Sequence, residues 1–203
     1  MNIPIFEARA LEGPPQWSHF FSQPRPLIIE IGCGKGEFLA QVAKRDSHFN
    51  FIGIEKVSTR VEKMKKKSEL LQVDNVLLVC SFAENIVPEW FAPESVSRFI
   101  IQCPDPWPKR RHHKRRLIQG KFIQGMYQCL EFGGTVHINT DHPEYTEFIL
   151  TQMENSGLFQ NCNTPEPWTL KTSEPIETIH HIKFRKEGRT IHYMDFQKKR
   201  NLN

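Results

Sequence analysis

Residues 27–45, "LIIEIGCGKGEFLAQVAKR", decide the fold. Leu27 to Ile31 is a short apolar run, the pattern of a strand buried on both faces. Glycines at 32, 34 and 36 break it, and the apolar residues from Phe38 onward recur at helical spacing. Strand, tight turn and helix in succession open a parallel α/β unit. A dinucleotide fingerprint G-x-G-x-x-G needs glycine at position 37, where this chain has Glu37. That third glycine lets helix and strand pack closely, so Glu37 argues against NAD. The phosphate-cradling G-x-x-x-x-G-K-[ST] loop is absent too. G-x-G-x-G instead suits a ligand whose flat body lies on the backbone without a pyrophosphate, such as S-adenosylmethionine. The competing reading is a plain turn that uses glycine for positive φ. Gly32, Gly34 and the preceding acid Glu30 are therefore candidate cofactor-binding residues.

Outward from this unit the alternation continues. Further strands are predicted at 49–55, 75–82, 96–103 and 135–140. A helix is predicted over 58–73 with Ser58 as N-cap, one over 114–134 closed by Gly133 and Gly134, and one over 142–157 with Pro143 in its first turn. Residues 163–177 read as a proline-rich extended loop, 178–188 as a short helix stopped by Gly188, and 189–196 as a final strand. Residues 1–26 hold five prolines and read as an irregular lead-in to one domain over 27–203. Such a chain forms a doubly wound, mostly parallel α/β sheet with right-handed crossovers. Ligands in such sheets bind at the carboxyl ends of the strands. The unusual residues cluster there: the glycines after the first strand, Glu55 ending the second, Pro104 to Lys109 after the fourth and Asp141 after the fifth. Glu55, about 20 residues beyond the glycine turn, is placed to accept hydrogen bonds from ribose hydroxyls.

The chain has 203 residues, 25% of them charged and 38% hydrophobic, and a net charge of +4. These values suit one ordinary globular domain. No apolar run reaches the roughly 18 residues of a membrane span, and the first residues lack a secretory pattern, so no membrane association is expected. The five cysteines are scattered and never spaced C-x-x-C, which points to a reducing cytoplasm and away from disulfides or zinc. The histidines show no ligand spacing, and no metal is expected.

Charge is concentrated in "CPDPWPKRRHHKRRL" (103–117), where Lys109, Arg110, Arg111, Lys114, Arg115 and Arg116 leave the rest of the chain slightly acidic. A basic patch on a near-neutral body is the electrostatic footprint of a polyanion-binding face. The bland alternative is a solvated loop. Just before it, two prolines restrain Asp105 while Trp107 offers a flat face. A base can stack on an indole while a carboxylate holds its edge.

"EIGCGKGEF", "GIE", "PDPWPKRRHHKRRL", "NTDHPEY" and "GRTIHYMDF" together resemble the bacterial tRNA (guanine-N7)-methyltransferase family of the TrmB type, over residues 27 to about 197. The resemblance implies a class I S-adenosylmethionine-dependent, Rossmann-like methyltransferase that forms 7-methylguanine at guanine 46 in the tRNA variable loop. It implies that Glu30 and Glu55 contact the cofactor, that Asp105 is catalytic at the cofactor–base junction, and that Lys109 and Asp141 contact tRNA. Arg110, Arg111 and Arg115 would meet phosphates. The chain also departs from the family pattern. The T-x-[FY]-E motif falls on "TIHH", so Thr178 matches while His181 replaces the acid. The cofactor-contacting position after the third strand falls on Phe82, which could stack or offer its backbone. The basic N-terminal extension of some members is missing. Monomer and homodimer remain equally compatible with the sequence.

Two rivals differ in class. One is an enzyme methylating an exocyclic amine, which the missing second proline after Asp105-Pro106 disfavours. The other is a nucleic-acid-binding module on a decayed cofactor fold, kept alive by His181 and Phe82.

Overall fold

A computed structural model describes residues 3–7, 13–172, 176 and 178–200. Parts of the predicted 163–177 loop, at 173–175 and 177, lie outside the described residues. The strands are β1 (Ile5–Glu7), β2 (Leu27–Ile31), β3 (Asn50–Glu55), β4 (Val76–Cys80), β5 (Val96–Gln102), β6 (Leu130–Thr140), β7 (Phe159–Asn161) and β8 (His192–Lys198). The helices are α1 (Glu37–Arg45), α2 (Ser58–Leu70), α3 (Ala83–Trp90), α4 (Gly120–Cys129), α5 (Pro143–Ser156) and α6 (Ile179–Lys186). One eight-stranded sheet runs β1-β4-β3-β2-β5-β6-β8-β7. The first six strands in that order pair parallel, and β8 and β7 pair antiparallel.

The side-chain period of two explains the layering. Ile29 and Ile31 of β2 join a core with residues of α3, α4 and α5, while Ile28 points the other way, to a core with residues of α1 and α2. Both faces are covered, so β2 is buried along its whole length and apolar at every position but Glu30. The chain winds from β2 through β3 and β4 to one side, then returns to β5 on the other side of β2. The carboxyl ends of β2 and β5 therefore flank the point where strand order reverses, the crevice such sheets use for ligands.

Several elements differ from the sequence reading. The lead-in is not wholly irregular, because Ile5–Glu7 adds a parallel edge strand beside β4. Helix α3 has only eight residues and contains Pro88, which hides its helical pattern. Ser58 is the first residue of α2 rather than its cap; Val57 holds the cap position, and its N–H is taken by Glu55 Oε1 at 2.9 Å. The predicted 114–134 helix is three elements. Arg110–Arg115 is a 3-10 turn, α4 follows, and β6 begins at Leu130. Gln119 Nε2 donates to the carbonyls of His113 and Arg116, at 3.3 and 2.6 Å, and so closes the turn. Gly133 and Gly134 do not end a helix. They sit in an irregularity of β6, between the pairs Val96–Leu130 and Arg98–Thr135, where Gly133 has a φ of +79°. A Cβ on Gly134 would lie 2.9 Å from the Glu131 carbonyl, so the irregular stretch needs glycine there.

Candidate active site

At the strand-order reversal lies a pocket of about 740 Å³. The glycine turn forms its floor. Gly32 N–H donates to the Ile54 carbonyl at 2.8 Å, tying the turn to the neighbouring strand. Gly32 and Gly34 both have positive φ and line the pocket. A Cβ added to Gly32 meets no atom within 4 Å, and one on Gly34 meets only the Gly32 carbonyl, at 3.9 Å. Their bare backbone faces open space that a ligand can fill. Gly36 has another purpose: it does not line the pocket, and a Cβ there would lie 2.2 Å from Met64 Cγ. The third glycine serves the packing of α1 on α2.

Two buried acids stand in the wall. Glu55 Oε2 accepts from the Gly34 N–H at 3.1 Å and lies 3.7 Å from Arg60 Nη1. It therefore welds the end of β3 to the glycine turn. Glu30 Oε1 accepts from Gln102 Nε2 at 3.1 Å, whereas Glu30 Oε2 finds no donor among the described residues. Burial pushes the Glu30 carboxyl up to about 8; the Gln102 hydrogen bond opposes this, and the Glu37 and Glu55 charges add to it. The site thus holds a carboxyl that stays protonated near neutrality until a cation or donor arrives.

The Pro104–Pro108 loop also lines the pocket, through Pro104, Asp105 and Trp107. Asp105 lines the pocket with its carboxylate 69% exposed and 3.6 Å from Lys56 Nζ. Trp107 lines it too, with the Arg115 guanidinium 5.0 Å from its ring centre and the His112 ring edge-on, at a centroid separation of 5.7 Å. Phe82 is half exposed on the rim, with Lys56 Nζ 5.9 Å from its ring centroid. Cys103, at the root of the loop, donates its N–H to the Asn139 carbonyl at 3.0 Å, and burial pushes its thiol up to about 12.

The structure thus gathers Glu30, Gly32, Gly34, Glu55, Phe82, Asp105, Arg115 and Thr178 at one cavity. The remaining candidates lie elsewhere. Lys109, Arg110 and Arg111 are exposed on the basic turn beyond the pocket lining. Asp141 does not line the pocket. It is nearly buried and ion-paired with Arg189, and the next residue, His142, caps α5, with Nδ1 accepting from the Tyr145 N–H at 3.3 Å. His181 is also outside the lining. It is 4% exposed, and its Nε2 lies 3.2 Å from Asn139 Oδ1. Its neighbour His180 lines the pocket instead. Thr178 caps α6, accepting from the His181 N–H at 3.1 Å, so the cap sets which histidine turns inward. Lys56, Gln102 and His180 escape the sequence reading. The paired histidines at 180–181 were the signal for the last, and α6 gives each its direction. Among the described residues no group of three His, Cys, Asp or Glu could hold a metal, and no helix is long and apolar enough to cross a membrane.

Comparison with known proteins places the chain in a family. The family model described as "Putative methyltransferase" matches residues 24–194. A tRNA (guanine-N(7)-)-methyltransferase of Limosilactobacillus reuteri is 32% identical over 94% of this chain and 89% of its own length. One from Mycoplasma genitalium is 39% identical over 67% of this chain; the match spans 66% of that relative, just under two thirds. The crystal structure of the 16S rRNA methyltransferase KamB superposes with a TM-score of 0.65 at 13% identity, covering 98% of this chain and 100% of that one. The last likeness concerns fold alone: a single doubly wound α/β domain. With the glycine turn, the Pro-Asp-Pro-Trp loop and the basic turn meeting as described, the sequence matches carry the rest, and the chain belongs to the bacterial tRNA (guanine-N7)-methyltransferase family.

Proposed function

We propose that the chain methylates N7 of guanine 46 in the variable loop of tRNA, with S-adenosylmethionine as methyl donor. The observation that carries this reading is the meeting of Glu30, Glu55, Asp105 and Trp107 at one cavity whose outer edge is the basic turn. The residues fit the cofactor. The bare backbone at Gly32 and Gly34 leaves room for its body, Glu55 stands where ribose hydroxyls are held, and the unpartnered Glu30 oxygen awaits a donor. A pocket of about 740 Å³ lies within the range of small-molecule sites. When bound, S-adenosylmethionine supplies an electrophilic methyl group.

The protein's part is positioning. Guanine N7 carries a free lone pair at neutral pH, so no general base must act before attack. Trp107 offers a surface for the guanine ring, and Asp105 accepts from its N1–H and amino group, holding N7 toward the cofactor. As positive charge grows on the purine, the fixed Asp105 carboxylate stabilises it. The exposed Lys109, Arg110, Arg111 and Arg115 meet phosphates, which give affinity and register without reading sequence. Choice of one guanine then depends largely on tRNA shape.

Methyl transfer from labelled cofactor to unmodified tRNA, followed by nucleoside mass spectrometry, tests this. The expected product is 7-methylguanosine with wild-type tRNA and none with tRNA carrying adenine at position 46. Methylation of an exocyclic amine would move the protein to another reaction. Cofactor binding without any transfer would support a binding module.

A further inference from the structure

The Pro104–Pro108 loop is poor in its own means of support. Its three prolines lack N–H groups, so it cannot knit itself with backbone donors. Cys103 and Trp107, toward its two ends, have φ values of +46° and +44°, a backbone conformation unfavourable for residues that carry a side chain. The surroundings must hold such a loop. At the first end the Cys103 Sγ and N–H both reach Asn139 Oδ1 at 3.3 Å. At the second end Arg116 Nε donates to the Pro106 carbonyl at 2.9 Å.

Arg116 is the last cation of the basic run, yet its side chain is only 1% exposed. Its Nη2 donates to Glu144 Oε1 of α5 at 2.9 Å, and its guanidinium lies 5.0 Å from the Tyr145 ring centre and 4.6 Å from that of Phe148. Arg115, one residue earlier, is exposed and faces the Trp107 ring. Two consecutive arginines thus contact the loop, one at the Trp107 ring and the other at the Pro106 carbonyl, and the buried one has no access to phosphate.

We propose that Arg116 is a positioning residue: it fixes the Pro106 carbonyl to α5 and so sets the placement of Asp105 and Trp107. The kinetic consequence rests on the function proposed above; the structural one does not. A misplacement near 1 Å at reacting groups costs on the order of a hundredfold in rate.

The test compares wild type with Arg116→Lys and Glu144→Gln. Lysine keeps the charge but cannot present the planar fork that reaches Pro106 and Glu144 together. Hydrogen–deuterium exchange is read at residues 103–109 and in strands β2 and β5. Both variants are expected to exchange faster at 103–109 with unchanged strands. In methyl transfer, Arg116→Lys is expected to lose roughly ten- to a hundredfold in kcat while KM for tRNA and the salt dependence of binding stay at wild type. Three results would overturn the proposal: unchanged exchange at 103–109 in both variants; strands exchanging faster along with the loop, which would make Arg116 a support of the whole fold; or a loss confined to KM and salt dependence, which would make it a phosphate contact. If wild type forms no 7-methylguanosine, the proposed function fails, and the exchange comparison still decides whether Arg116 sets the loop.

Discussion

Glu30 and Gln102 face each other across the seam between β2 and β5, with Gln102 Nε2 donating to one carboxyl oxygen of Glu30 at 3.1 Å and nothing described donating to the other. Burial lifts this carboxyl from 4.5 to about 8. The folded chain therefore keeps a proton that the unfolded chain releases, and stability declines as pH rises from about 4.5 to about 8, then levels off. Glu30→Gln is expected to remove that decline and to melt higher than wild type at pH 8, while weakening cofactor binding. Melting curves from pH 5 to 9 check it; parallel pH profiles for the two proteins would show that Glu30 is not the titrating group. A cation bound beside Glu30 would also favour its ionised form, so wild-type cofactor affinity should rise between pH 6 and 8.

Asp105 and Lys56 form an exposed pair at 3.6 Å, which contributes little to stability. Asp105→Asn is accordingly expected to melt within about 1 kcal/mol of wild type and to retain cofactor binding. Loss of most turnover, on the order of a hundredfold or more, is the expected kinetic result. Calorimetry with cofactor and single-turnover methylation separate the two effects. Turnover at the wild-type level would remove Asp105 from the chemistry.

Replacing Arg110, Arg111 and Arg115 by Ala should flatten the salt dependence of tRNA binding. Each lost phosphate contact lowers the slope of log affinity against log salt by about 0.7–0.9. Filter binding across a salt series reads this. A slope identical to wild type would place the tRNA face elsewhere.

The glycines of the turn are expected to fail in different ways. Gly32→Ala incurs backbone strain of roughly 1–2 kcal/mol, because φ is +71° and the space is open; its main defect should be cofactor affinity. Gly36→Ala adds a collision with Cβ and Cγ of the fully buried Met64 and should lose more stability. Met64→Ala in the Gly36→Ala background should recover part of the melting temperature. Equal melting of the Gly32 and Gly36 variants would contradict this division.

What the sequence alone determined is local in origin. A short run such as Leu27–Ile31, rich in isoleucine and bounded by glycines, reads as a covered strand, and the glycines directly after it as a turn at the strand's ligand-facing end. The spacing from Gly34 to Glu55 follows from one parallel crossover, because that crossover returns the next strand beside the first. Asp105 between prolines marks a rigid loop wherever the chain places it. The tertiary structure decided which side each neighbour of these residues faces. Arg115 and Arg116 are alike in sequence, but Pro106 and Glu144 draw only the second inward. His180 and His181 are separated by the phase of α6 from its Thr178 cap, and only one reaches the pocket. Gly32 and Gly36 share a motif, but Met64 from another helix gives the second its reason. Helix α3, short and containing Pro88, draws stability from packing against Gly125 of α4, where a Cβ would lie 2.9 Å from the proline ring. In each case the deciding partner comes from another element of the fold or from the phase of a helix, and periodicity carries no record of it.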